Sequence, residues 1–306
     1  MIKKVPLPIC GVMLGTAALG NLLQSYSELL RNVCGILAAF LLILILLKLV
    51  KYPGLIKEDM GNPIMAGVSA TFPMALMILS TYAKPFIGQV AYFIWMFAIA
   101  LHVVLIIYFS LKFLFKYEKK NVFTTWFIVY VGIAVAGVTA PAYDKTGFGA
   151  VTFWFGLITF IPLLIVIINR YVKLPSPEPA KPLVGIFAAP MSLCIAAYVQ
   201  SVNSKNFTLL MIMFVVANIL YVYSLVACLR LVKKFYPSFA GFTFPFVISA
   251  IATKQVVSCS ALMGHPLPWL GTIVLVETVI AAAFVAFVYV RYMAFIFAGN
   301  SKRESK

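Results

Sequence analysis

Five stretches of this chain, each about 20 residues long, the length of a bilayer crossing, are almost free of charge. They begin near Pro6, Pro63, Val122, Pro182 and Phe239, so their starts recur every 57 to 60 residues. Each carries glycine, proline or hydroxyl residues and is followed by a longer, more apolar run. The repeating unit therefore reads as a helical hairpin used five times, and five like hairpins imply a ring about an axis.

Hydrophobic residues make up 63% of the chain and charged residues only 10%, which places it in a membrane. Ten apolar runs fit, at 6–24, 31–51, 63–83, 85–115, 122–142, 148–172, 182–202, 206–234, 239–258 and 268–297. The loops between them are too short for a soluble domain. The expected fold class is an all-α membrane protein of ten transmembrane helices, arranged as five helical hairpins in quasi-five-fold order. The inner, odd-numbered helices would line a central pore within a single domain over residues 1–306. The first run has two lysines before it, as a signal peptide does, but Pro6, Pro8, Gly11 and Gly15 interrupt it early, so it reads as the first span.

Ten spans put both termini on one side, and basic residues decide which side. Of the 24 lysines and arginines, all but Arg31, Lys84, Lys145, Lys205 and Lys254 fall in the tails or in the loops after even-numbered spans. That distribution predicts a multi-pass protein of the cell membrane with cytoplasmic N and C termini. It also accounts for the net charge of +16 without nucleic acid, because no basic segment interleaves with exposed aromatics. Cys10, Cys34, Cys194, Cys228 and Cys259 show no metal-binding spacing. Neither a metal nor a cofactor is expected.

The two classes of span differ in composition. Even spans contain bulky runs such as Phe40 to Leu47, Val103 to Ile107 and Leu163 to Ile168, suited to an outer wall facing hydrocarbon. Odd spans carry small and hydroxyl residues, which allow close helix approach or expose backbone along a narrow path. Three of them share a finer pattern, with Gly67 six residues before Pro73, Gly185 five before Pro190 and Gly241 four before Pro245. A proline inside a helix removes a donor and clashes with the carbonyl four residues earlier, so breaks are expected at Ser69, Ile186 and Gly241. Such breaks persist in lipid only where protein or water meets the freed groups, which points to a central cavity. Each break also starts a half-helix whose positive N-terminal end faces that cavity, a means of holding an anion without a lysine in the path. The first and fifth spans lack the glycine and proline arrangement, and even spans have an interior proline only at Pro162.

The segment from Ala240 to Thr253, AGFTFPFVISAIAT, resembles the ninth helix of the tellurite-resistance/dicarboxylate transporter family, the TehA-like proteins related to plant guard-cell slow anion channels. Span number, hairpin repeat and proline-bearing odd helices extend the resemblance over nearly the whole chain. It implies five inner helices around a pore, assembly as a homotrimer, and a ninth-helix phenylalanine that plugs the pore at mid-depth. The aromatic residue of the Thr-Phe-Pro triplet here is Phe244, and Phe72, also directly before a proline, occupies the matching slot in the third span. A bulky apolar ring in a narrow conduit blocks ions by size and by dewetting.

Few other charges lie within the spans. Arg31, Lys84, Lys145, Lys205 and Lys254 fall one per hairpin near its tip, an arrangement that would ring an outer vestibule and enrich anions, or simply snorkel to headgroups. Glu277 lies well inside the last span, and Lys254 is its expected ion-pair partner. His102, on an outer-wall helix, reads as a packed residue. The function expected is transport of small inorganic or organic anions through a pore occluded by a phenylalanine gate. The alternative is a proton-coupled carrier of C4-dicarboxylates, sulfite or tellurite-type oxyanions. No constellation of catalytic groups accompanies the spans, so an enzyme is not expected.

Overall fold

A computed structural model describes residues 1–298. Among them, nine helices are long and apolar enough to cross a membrane, and the shorter Ile9–Leu23 makes a tenth. In chain order they are α1 (Ile9–Leu23), α2 (Glu28–Lys51), α3 (Pro63–Ile87), α4 (Gln89–Leu114) and α5 (Thr125–Tyr143). The second half comprises α6 (Thr146–Lys173), α7 (Glu178–Ser201), α8 (Phe207–Leu229), α9 (Pro237–Leu262) and α10 (Leu270–Phe297). The tail residues Lys302, Arg303 and Lys306, counted above among the basic residues of the terminal side, lie outside the described residues.

Local chemistry sets the ends. Ser27, Asn62 and Asn206 each stand before a helix and accept a hydrogen bond from a first-turn N–H, Leu30, Ile64 and Leu209 respectively, the capping geometry short polar side chains favour. Gly88 turns α3 into α4 at φ 52, a left-handed conformation that glycine adopts without strain. α1 is only about 22 Å long at 1.5 Å per residue, and a proline-rich turn through Pro6 and Pro8 leads into it.

Packing separates the helices into two sets. In the most apolar stretch of α3, α5, α7 and α9, 72 to 94% of residues are buried, against 28 to 39% in α2, α4, α6, α8 and α10. α1 is buried along all but two of its residues. The odd helices are therefore interior and the bulky even helices form the exterior, as their compositions predict. Each odd helix packs against the next odd helix, and α9 packs against α1. Each even helix lies against the odd helices before and after it, with α10 reaching back to α1.

Close approach between odd helices depends on absent side chains. A Cβ on Gly15 would stand 2.6 Å from Thr243 Cβ, and one on Gly185 would stand 2.4 Å from the Gly241 carbonyl oxygen. Glycine here is a packing requirement of the kind found where membrane helices touch backbone to backbone.

The interruptions in α3, α7 and α9 differ slightly from the expected positions. A new α-helical segment begins at Thr71 in α3, at Ala189 in α7 and at Phe244 in α9, so the breaks fall at Ala70, Ala188 and Thr243 instead of Ser69, Ile186 and Gly241. The reason is that proline is accommodated in a first turn, where its missing N–H has no intrahelical partner to lose. Pro73, Pro190 and Pro245 each fall second or third in the new segment. Before the breaks, α7 runs as a 3-10 helix from Glu178 to Ala188 and α9 from Pro237 to Phe242. α5 is divided as well, with a 3-10 turn at Gly132–Ala134, although no proline lies there. His102 of α4 explains how that is tolerated: its Nε2 lies 2.9 Å from the Val129 carbonyl oxygen just before the interruption, a donor for an exposed acceptor.

Candidate functional site

Two cavities lie end to end within the odd helices. The first, about 50 Å³, is on the side of the termini, and every odd helix contributes to its wall: Gly11 and Leu14 of α1, Val68, Thr71 and Met74 of α3, Phe127 and Val131 of α5, Ile186 and Ala189 of α7, and Gly241 and Pro245 of α9. The second, about 430 Å³, is on the opposite side and is bordered by the later parts of the same helices together with Arg31 of α2. Among the described residues, only two line both cavities, Leu193 and Phe244.

Phe244 is 5% exposed and Leu193 2%. Phe244 is placed by the break itself, since it is the first residue of the new α-segment and follows Thr243, whose backbone (φ −97, ψ −91) belongs to neither helix type. The Thr243 hydroxyl is 3.0 Å from the Gly11 carbonyl oxygen and 2.8 Å from that of Ala240, which fastens the base of the Phe244 segment to α1. Beside it, Ser192 and Ser249 hydroxyls lie 3.1 Å apart, and both reach the Ala188 carbonyl at the α7 break, at 2.9 and 3.1 Å. The hydroxyl residues of the odd spans thus satisfy backbone groups that the breaks release.

The cavities differ in chemistry. The first presents an apolar surface, since the hydroxyls of Thr71 and Ser238 on its wall donate to the Val68 and Pro179 carbonyls, and the starts of the new segments at Thr71, Ala189 and Phe244 are on its wall. The second presents two cations, Arg31 and Lys254, and the amides Asn21, Gln24, Gln200 and Gln255. Among the described residues, no aspartate or glutamate lines either cavity. Arg31 is partly offset by Glu28 at 3.8 Å and lies over the Tyr82 ring at 4.4 Å. Lys254 Nζ donates to Ser25 Oγ and to the Leu22 carbonyl. The net field in the second cavity is positive.

Not every residue singled out from the sequence lies at these cavities. Pro73, Gly67 and Gly185 are not wall residues; Gly67 meets Thr125 across the α3 to α5 contact. Phe72 is half-buried and lines neither cavity, because the wall positions of α3 are Val68, Thr71 and Met74, one helical face away. Of the five basic residues on the far side, Arg31 and Lys254 line the second cavity. Lys84 instead donates to the Ala142 carbonyl, Lys145 lies over the Tyr92 ring at 5.9 Å, and Lys205 donates to the Val202 carbonyl at 2.8 Å.

The expected Lys254 and Glu277 ion pair is not formed. Glu277 is 3% exposed and sits among Ser249, Thr253 and Tyr221, where its Oε2 has no hydrogen-bond partner among the described residues. Thr253 faces α10, and the next residue along a helix points about 100° away, so Lys254 is turned to α1.

Sequence reasoning missed Leu193 and the amides. A signal existed for the first: Leu193 stands three residues after Pro190 as Ile248 stands three after Pro245, and both line the second cavity. The amides Asn21, Gln200 and Gln255 occupy the far ends of odd spans, where polar side chains stand beside small ones.

The burial pattern and composition define an all-helical, multi-pass membrane protein. A model of the SLAC1 family, described as voltage-dependent anion channel, matches residues 4–292, and the chain belongs to that family. The resemblance seen around Phe244 therefore extends over nearly the whole length, and the family is one of anion-transporting channels and not of enzymes. A search of curated proteins returned no match.

Proposed function

We propose that this protein conducts small anions along the axis of its five odd helices and that Phe244 closes the path. The observation carrying this reading is that Phe244, with Leu193, is shared by two otherwise separate cavities. The five odd helices pack in sequence order back to the first, which supports a quasi-five-fold ring of helical hairpins around that axis. Selectivity for anions draws on the second cavity, where, among the described residues, Arg31 and Lys254 have no acidic neighbour on the wall. On the other side, the path is neutral and apolar, and the half-helix starts at Thr71, Ala189 and Phe244 stand on its wall, bringing the positive ends of their dipoles close to it. A path without fixed charge at its narrowest point lets an ion leave as well as enter. The distribution of basic residues supports cytoplasmic termini, and the family resemblance supports a homotrimer.

The test is conductance in reconstituted bilayers. Phe244→Ala should raise anion current well above a nearly silent wild type; a variant as silent as wild type would overturn the gate assignment. The second reading, proton-coupled carriage of C4-dicarboxylates, sulfite or tellurite-type oxyanions, draws on Glu277, a buried carboxyl group without a cationic partner among the described residues. Flux driven by a pH gradient and lost in Glu277→Gln would favour it over a channel.

A further inference from the structure

Pro162, the interior proline of an even helix, has no place in the conduction path, yet it marks a second built feature. It lies on an exterior groove of about 240 Å³ between α4, α5 and α6, with Leu114, Tyr117, Trp126, Tyr130 and Val166. Two local irregularities shape this groove. The last turn of α4, Ser110–Leu114, is a π-helix, a widened turn that recurs at functional sites, and it carries Leu114 to the groove's edge. Pro162 removes a backbone donor from α6 on the stripe that continues through Val166 to Asn169. Across the base, the hydroxyls of Ser110 and Tyr130 satisfy one another at 2.8 Å, leaving an apolar floor.

The end of the groove toward the N-terminal side of the membrane is basic. Tyr117 lies within the loop that carries Lys116, Lys119 and Lys120. Lys119 Nζ donates to Asn169 Oδ1 at 3.2 Å, which holds it about one helical turn beyond Val166, or roughly 4.5 Å along α6. Lys120 is engaged by Glu118 at 3.0 Å, and Lys112 by Tyr108 and the Met60 carbonyl. Lys116, exposed and next to the groove residue Tyr117 in the chain, and Lys119, held by Asn169, thus fall at one end of the apolar furrow, a combination of chain-binding and phosphate-binding chemistry.

We propose that this groove binds an anionic phospholipid, one acyl chain lying against Pro162 and Trp126 and the phosphate held by Lys116 and Lys119. The test titrates purified full-length protein in detergent with phosphatidylglycerol and, separately, phosphatidylcholine, counting bound lipid by native mass spectrometry. The expected result is preferential retention of phosphatidylglycerol, weakened by about fivefold for each lysine removed, so that the double variant Lys116→Ala, Lys119→Ala treats the two lipids nearly alike. Thr159→Trp, which fills the groove from α6, should lower occupancy by both. Equal binding of the two lipids to the wild type, or a preference that survives the double variant, would overturn the proposal. So would a disulfide joining two copies through Thr159→Cys, because the groove would then be covered by a second copy; the five native cysteines are all buried.

Discussion

Phe244 and Leu193, the two described residues common to both cavities, differ in bulk and in the helix that carries them. Phe244 carries the larger ring, so Leu193→Ala alone should raise current less than Phe244→Ala, and the double variant should exceed either; single-channel recordings of the three give the order. A different residue-scale contact holds the near-terminal end of α1. Lys48 is 5% exposed, its Nζ is 2.6 Å from the Val5 carbonyl oxygen and 3.8 Å from Asp59 Oδ2. Lys48→Met keeps the aliphatic stem but leaves that carbonyl without its donor, which should cost about 1–3 kcal/mol, read as a lower unfolding midpoint. Asp59 behaves differently: partial burial pushes its carboxyl above the ordinary carboxylate range, more than Lys48 pulls it down. The folded protein then holds this proton more tightly than the unfolded chain. The resulting penalty is fully present above the raised value and is relieved as pH falls through it toward 3.8. Asp59→Asn should therefore be neutral or slightly stabilising at pH 7, by less than about 1 kcal/mol for so exposed a group, and the difference should vanish at acid pH.

At the scale of the helix, glycine positions separate contact from convenience. Gly185→Ala would place a Cβ 2.4 Å from a backbone oxygen of the neighbouring odd helix. Backbone cannot yield as a side-chain tip does, and a loss of about 1–3 kcal/mol is expected from such overpacking. Gly147→Ala, with nothing within 4 Å of the added carbon, should leave the thermal midpoint of detergent-purified protein unchanged. The alternation of interior and exterior helices was legible from composition, because a bulky run such as Phe40 to Leu47 has no use for a tight neighbour. The existence of breaks in α3, α7 and α9 was legible from their prolines, and their positions to within two residues. The division of α5 was not, since it rests on a glycine and on His102 arriving from another helix. Nor was the direction of Lys254, because span depth alone brings it level with Glu277, whereas rotation about the helix axis turns it to α1. Phe72 shows the same limit: a local Phe-Pro match says nothing about which face meets the axis.

For the whole molecule, the charge pattern predicts selectivity. In a Phe244→Ala background, reversal potentials should follow the chloride gradient and ignore potassium. Replacing Arg31 and Lys254 together by glutamine should reduce inward-facing anion current several-fold at low ionic strength and much less at about 1 M salt, where the Debye length shrinks to about 3 Å. A current that tracks potassium would instead place the conduction path outside the odd helices. α10 packs against α1, and Lys4 Nζ donates to the Ala298 carbonyl oxygen at 3.3 Å, so the first and last helices are neighbours like any other adjoining pair. Topologically the molecule resembles a bracelet whose clasp sits at an arbitrary bead. A circular permutant joined through a short flexible linker and opened between Lys233 and Lys234, both exposed, should fold and carry the same current as the natural order.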